Sequence, residues 1–331
     1  MASTRSGRNL LVLARGISPG DLGSDAFRQF RPDGSAILPL DRAPDGAAPA
    51  AAELLDALPV DVLRRRGVAV DRRALQLQPP WRSDHQAVEL LTTRPDGPPD
   101  LAVLDMRGPL LAATRHGAGS AAVAAAHAAL AADLARGLEV LRRGGPASLW
   151  LCALGAPVPV AHVLDVRRIL QRGLGRRAMR DLAVHCGAAT ARLCGGRRAL
   201  AAALALLPST PLRAAKVTDL GSEVLLRAAD CTAFGARRIH ARPPHPDERP
   251  AAALLPYTPR TTSRMDLAGL AARVTMAAFA AAPERRSEPL PLAAVATTAP
   301  PQLLPIDPDR SATHGVARDA AVDQGVFSDD S

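Results

Sequence analysis

The chain reads as an α/β protein, a three-layer sandwich with a mostly parallel central sheet, and three stretches carry that reading. Asp100-Leu-Ala-Val-Leu-Asp105 is an apolar run of strand length, bounded by Pro98-Pro99 and by Gly108-Pro109. A helix is predicted from about Ser120 to Arg143. Its Val123, Leu130, Leu134, Leu138 and Leu141 stand three, four or seven residues apart and share one stripe; Ser120 supplies an N-cap and Gly144-Gly145-Pro146 stops the helix. Ser148-Leu-Trp-Leu-Cys-Ala-Leu154 is a second buried run, ended by Gly155. Strand, helix and strand at this length make a βαβ unit, which requires parallel strands and a right-handed crossover. Ligands of such sheets sit beyond the carboxyl ends of the strands, here Asp105 to Leu111 and Cys152 to Gly155. Both places are poor in ligand groups.

The other elements follow in order. Asn9 to Ala14 reads as a buried first strand ending at Arg15-Gly16, and a turn then leads into a short helix near Asp25 to Phe30. Ala36 to Leu40 is extended. Ala47 to Leu58 is an Ala-rich helix with Pro49 in its first turn. Arg64-Arg-Arg66 reads as a solvated helix face before a strand at Gly67 to Val70, with phosphate binding as the alternative. Leu75 to Pro99, with Trp81, Asp84 and His85, is a loop by composition. Helices are expected at Val163 to Leu174, Arg197 to Leu207 and Leu267 to Ala281, a strand or hairpin at Leu182 to Cys194, and two strands in Lys216 to Ala228. The organisation expected is a tail at 1–8, one domain at 9–320 and a tail at 321–331. Pro-rich, loose segments are expected at 242–262 and 283–310.

A net charge of +9 and a pI near 10.8 suggest a nucleic-acid partner at first sight. Lys216 is the only lysine, however, and the arginines are scattered without aromatic stacking platforms. GC-rich coding accounts for the Ala and Arg content more simply, so no nucleic-acid partner is expected. Cys152, Cys186, Cys194 and Cys231 lack Cys-x-x-Cys spacing and read as reduced thiols, which fits a cytoplasmic protein. The apolar run behind the N-terminus is too short for a secretory signal, and no membrane span is expected.

The order of Pro99-Asp-Leu-Ala-Val-Leu104, Arg115-His-Gly-Ala-Gly-Ser120, the long helix, Gly155 and Val158-Pro-Val-Ala-His-Val-Leu-Asp-Val-Arg-Arg-Ile-Leu170 resembles the type I phosphodiesterase and nucleotide pyrophosphatase branch of the alkaline phosphatase superfamily. Gly16-Ile-Ser-Pro19 is similar to that family's first turn. Ile239-His-Ala-Arg-Pro243 and Leu304 to Gly315 resemble the late His-bearing segments of a subgroup that accompanies secondary metabolism. The resemblance implies an alkaline phosphatase-like fold, a dinuclear centre of zinc or another divalent metal, and a Thr or Ser nucleophile.

The residues present depart from that pattern, as in a shortened and site-degenerate member. The first-strand Asp becomes Ala14 or Arg15, the nucleophile Ala47, the Asp-x-x-x-His pair Leu110 and Thr114, and Ser-Asp-His-Gly becomes Cys152-Ala-Leu-Gly155. Only His240 and His314 match metal ligands, and two histidines without carboxylates do not hold a dinuclear site. Arg15 is a candidate for standing in for a metal's charge and binding a phosphate or carboxylate; solvent exposure is the alternative. Cys152 is a candidate ligand-binding or nucleophilic thiol, with inert core as its alternative. Three functions follow: a non-catalytic protein binding a phosphorylated or acidic small molecule or a protein partner; an active hydrolase using His314, His240 and Asp307; and a structural partner for another enzyme.

Overall fold

A computed structural model describes residues 7–41, 50–75, 82–95, 97–245, 248–257 and 264–281. The chain runs through β1 (Arg8–Ala14), α1 (Pro19–Leu22), α2 (Asp25–Arg28), β2 (Ala36–Asp41), α3 (Ala50–Ala57), α4 (Val60–Arg65), β3 (Val70–Ala74), α5 (Asp84–Thr92), β4 (Leu101–Met106), α6 (Gly108–His116), α7 (Ala121–Arg142) and β5 (Ala147–Ala153). It continues through β6 (Val158–Pro159), β7 (His162–Leu164), α8 (Val166–Ala178), β8 (Leu182–Cys186), β9 (Thr190–Gly195), α9 (Arg197–Leu206), β10 (Lys216–Asp219), β11 (Glu223–Arg227), β12 (Thr232–Phe234), β13 (Ala241–Arg242), β14 (Ala251–Leu255), β15 (Met265–Asp266) and α10 (Leu267–Ala281).

Seven strands form the central sheet in the order β15-β2-β14-β5-β1-β4-β3. β1 pairs parallel with both β4 and β5, and among the described strands of this sheet β14 alone runs against the rest. Every residue of β1 from Leu10 to Ala14 is fully buried. Successive side chains of a strand point to opposite faces, and helices cover both faces here, so the strand is apolar throughout. Leu10, Val12 and Ala14 pack with Leu130, Leu134 and Leu138 of α7 and Val88 of α5. Leu11 and Leu13 pack with Leu54 of α3, Leu63 of α4 and Leu270 of α10. The result is the three-layer sandwich expected. Each fully buried leucine contributes about 1.5–3 kcal/mol.

A second, smaller layer pair follows β7. β10-β11-β9-β8 is an antiparallel sheet covered by α8 and α9, with its own core of Leu170, Leu193, Leu200, Leu226 and Phe234. The hairpin β8–β9 and the strands β10 and β11 lie where the sequence places them.

Several expectations are corrected. β4 and β5 are parallel and joined through α7, but β1 lies between them, so the crossover spans one strand. The segment read as a loop contains α5, whose start is held by a capping box: Ser83 Oγ accepts the Gln86 N–H, and Gln86 Oε1 accepts the Ser83 N–H. Within the supposedly loose 242–262 lies β14, entirely buried between β5 and β2. Val163 belongs to β7 rather than to α8, and β3 begins at Val70. By length and composition α7 could cross a bilayer, against the expectation of no such stretch; its Leu130, Leu134, Leu138 and Leu141 are core residues packed with sheet residues such as Leu10.

Candidate functional site

The carboxyl ends of β1 and β4 carry the most concentrated buried charge of the sandwich. Arg15 leaves β1 with its backbone N–H donating to the Met106 carbonyl at 2.9 Å. Gly16 follows with φ +80°, and a Cβ there would stand 2.6 Å from the Leu110 nitrogen. Glycine lets the turn close against α6 where another side chain would clash. This fixes the direction in which Arg15 leaves the sheet.

The Arg15 side chain turns onto Asp105. Its Nε donates to Oδ1 at 2.8 Å and its Nη2 to Oδ2 at 3.2 Å. Arg107 approaches the same carboxylate, Nε at 3.1 Å and Nη2 at 2.6 Å from Oδ2. Residues two apart in an extended segment share a face, which is why Arg107 can fold back onto Asp105. The Asp105 side chain is wholly buried, and those of Arg15 and Arg107 are 16% and 10% exposed. Burial, and then the charge of Arg15, lower the Arg107 pKa, while Asp105 opposes the shift.

A second carboxylate completes the cluster. Asp84, first residue of α5, accepts the Arg107 N–H at 2.7 Å on Oδ1 and the Gly108 N–H at 2.8 Å on Oδ2. It thereby fills the start of α6, where an external anion would otherwise find two amide donors. Burial pushes its pKa up to about 6, against the lowering effect of these two hydrogen bonds. Guanidinium forks and helix amides, the two groups that recognise oxyanions, thus both hold carboxylates of the chain itself.

Arg15 therefore does bind a carboxylate, but an internal one, and it does not simply reach out to solvent. Cys152 is fully buried among the residues facing α3 and α10, and burial drives its pKa far above the ordinary thiol value. A thiol so placed neither ionises near neutrality nor meets a ligand, and the core alternative describes it. His240 is exposed; its backbone N–H donates to the Thr114 carbonyl at 2.8 Å, which brings those two positions of the resemblance together. Thr114 Oγ1 donates to the Leu110 carbonyl in its own helix. Ala47, Asp307 and His314 lie outside the described residues.

Among the described residues the donor set does not fit a dinuclear metal centre. Among the described residues no group of three or more His, Cys, Asp or Glu side chains could hold a metal ion. Asp105 shares its space with two fixed positive charges, each oxygen of Asp84 already accepts an amide N–H, and Leu154 and Gly155 close the end of β5 with apolar or absent side chains. Sequence reasoning singled out Arg15; it pointed to the segment Asp105 to Leu111 but read it as poor in ligand groups, and it left Asp84 in a loop. The available signals were a charged residue closing an apolar strand, an Arg two residues on, and the Ser83-x-x-Gln86 box that starts α5.

At the opposite end of β1 and β5 lies an apolar cavity of about 800 Å³, lined by Asn9, Trp150, Tyr257, Arg273 and Met276 among others. Trp150 donates its indole N–H to Asn9 Oδ1 at 2.9 Å and meets Tyr257 edge-on at 5.5 Å.

No family model matches the chain, and no curated protein matches it in sequence. Solved structures do. Human ectonucleotide pyrophosphatase/phosphodiesterase 5 is 10% identical with a TM-score of 0.61, over 82% of this chain and 95% of that one. The murine protein, in an inactive form complexed with AMP, is 12% identical with a TM-score of 0.59 over the same shares. Phosphonoacetate hydrolase from Sinorhizobium meliloti, complexed with phosphonoformate, is 11% identical with a TM-score of 0.57, over 83% of this chain and 96% of that one. The fold is alkaline phosphatase-like, of the nucleotide pyrophosphatase type. At these identities the likeness concerns the fold and says nothing of the chemistry.

Proposed function

We propose that the chain is a non-hydrolytic protein of this fold that acts by binding, its ligand a phosphorylated or acidic small molecule or a protein partner. The observation that supports it is the Arg15–Asp105–Arg107 cluster with Asp84 beside it, a set of internal ion pairs at the strand ends where hydrolysis would need metal ligands. Two guanidinium groups occupy that place, and a divalent cation brought there would face their repulsion with Asp105 already engaged.

The test uses the full chain, so that Ala47, Asp307 and His314 are included. After exposure to zinc and manganese and exhaustive dialysis, elemental analysis should find no tightly held ion, and bis(p-nitrophenyl) phosphate should not be hydrolysed above the buffer rate. About two retained ions per chain, with turnover, would return the protein to the metal-dependent hydrolases.

We also propose a reducing, cytoplasmic setting. None of Cys152, Cys186, Cys194 and Cys231 is in a disulfide, and Cys186 and Cys231 are exposed. Thiol titration of the native protein should label Cys186 and Cys231 rapidly and Cys152 only on unfolding. Disulfide-linked dimers in protein taken directly from cells under alkylating conditions would count against this setting.

A further inference from the structure

A different part of the molecule carries two arginines, Arg168 and Arg238, that no carboxylate among the described residues neutralises. Beyond β5 the backbone passes through β6 and β7, and the Ala161 and His162 N–H groups donate to the Cys231 carbonyl at 2.7 and 3.1 Å. β7 pairs in parallel with β12, and the Gly235 N–H donates to the Leu164 carbonyl at 3.0 Å. These bonds frame a largely polar cavity of about 850 Å³ between β7, the start of α8 and the segment 235–239. Its lining includes His162, Asp165, Arg168, Arg237, Arg238 and Thr232.

Three guanidinium groups border this cavity beside one carboxylate. That carboxylate is engaged: Asp165 Oδ1 accepts the Arg168 N–H at 2.9 Å as the N-cap of α8. Arg168 and Arg238 have no side-chain hydrogen bond or acidic partner among the described residues. By contrast Arg15 on Asp105 and Arg242 on Glu248 each meet a carboxylate in bidentate contact, and Arg107 directs two donors at one oxygen of Asp105. Like charges gathered at a concave surface repel one another, and a compact anion relieves that repulsion while guanidinium forks match its oxygens. The volume lies within the range of small-molecule sites.

We infer that this cavity, and not the strand-end cluster, is where the chain binds a compact polyanion, a phosphorylated or polycarboxylate small molecule. The inference rests on the binding function proposed above and gives it a place. At the strand ends the anion's position is taken by Asp105 and Asp84; between β7 and α8 it is open.

The experiment is calorimetric titration of the full chain at about 0.15 M ionic strength, where the Debye length is about 8 Å, with inorganic pyrophosphate and, separately, with citrate. One-to-one binding of either probe is expected, and the tighter arm identifies the ligand as phosphate- or carboxylate-type. Arg168→Ala/Arg238→Ala, at exposed positions, should weaken that binding about tenfold or more with an unchanged circular dichroism spectrum. Arg142→Ala/Arg143→Ala, exposed at the end of α7 where β5 starts rather than where it ends, removes the same charge elsewhere and should leave it within about twofold, since charges beyond a Debye length are screened. Equal weakening in both double variants would reduce the effect to net charge and overturn the site. Binding that survives in Arg168→Ala/Arg238→Ala but is lost in Arg15→Met would overturn it too, while leaving the binding function in place. If wild type binds neither probe, the site is also refuted, whereas retained metal with turnover is the separate result that refutes the non-hydrolytic reading.

Discussion

Two arginine clusters beyond the strand ends, both built from the commonest charged side chain of the sequence, do opposite things. At β1 and β4, Arg15 and Arg107 close on a fully buried Asp105, and the neighbouring amides close on Asp84. Between β7 and α8, Arg168 and Arg238 line an open cavity without an acidic partner among the described residues. The first cluster is internal structure, holding two strand ends and two helix starts together. The second is free to meet something else. What separates them is the supply of carboxylates from neighbouring elements, because a guanidinium keeps its charge in either place.

The largest effect should come from removing the shared counter-charge. Asp105→Ala leaves two poorly solvated guanidinium groups facing each other and should cost about 3–5 kcal/mol in urea unfolding. A loss below about 1 kcal/mol would mean the cluster behaves like a surface ion pair and that the contrast with the β7–α8 cavity is false.

Asp84 sharpens the same comparison through pH. Its pKa is raised from 3.8 to about 6, foremost by burial, so the folded state binds its proton more readily than the unfolded chain does. Its share of stability is therefore fully present below pH ~4 and declines as pH rises to ~6, in total by roughly 3 kcal/mol. Urea midpoints taken across that window should lose this slope in Asp84→Asn. Glu248 runs the other way. Although burial opposes it, hydrogen bonds from Arg242 and the His245 N–H lower its pKa, and its contribution is lost on acidification. An Asp84→Asn profile that keeps the wild-type slope would place Asp84 in a solvated environment.

Arg15→Met ranks next, because Asp105 retains Arg107; a cost of about 1–3 kcal/mol is expected. If it equalled that of Asp105→Ala, the second guanidinium would be contributing nothing. The smallest effect belongs to the open cluster: Arg238→Ala should change stability by no more than about 0.5 kcal/mol. A larger loss would show that Arg238, too, has a structural partner.

The local patterns were readable in advance. β1, β4, β5, α7 and α10 announce themselves by apolar runs, by stripes at helical spacing and by the glycines and prolines that end them. α5 escaped because Trp81 and the surrounding prolines drew the reading toward a loop, although its capping box stands in the sequence. β14 escaped because Ala251-Ala-Ala-Leu-Leu255 has no alternation and sits among prolines; only the gap between β5 and β2 makes it a strand. Arg15 was noticed as a charge in a place meant for something else. Its pairing with Asp105, at the head of the segment where ligands were expected, is not legible, since the two lie 90 residues apart.

By itself, then, the sequence determined the layered α/β class and most of the elements, because each is written in residues close together in the chain. Tertiary structure alone decided that β1 enters between β4 and β5, that Cys152 is sealed in the core, and which arginines are neutralised. The reason is physical: pairing across a sheet and the neutralisation of a buried charge depend on distances between residues far apart in the chain, and those distances exist only once the layers have packed.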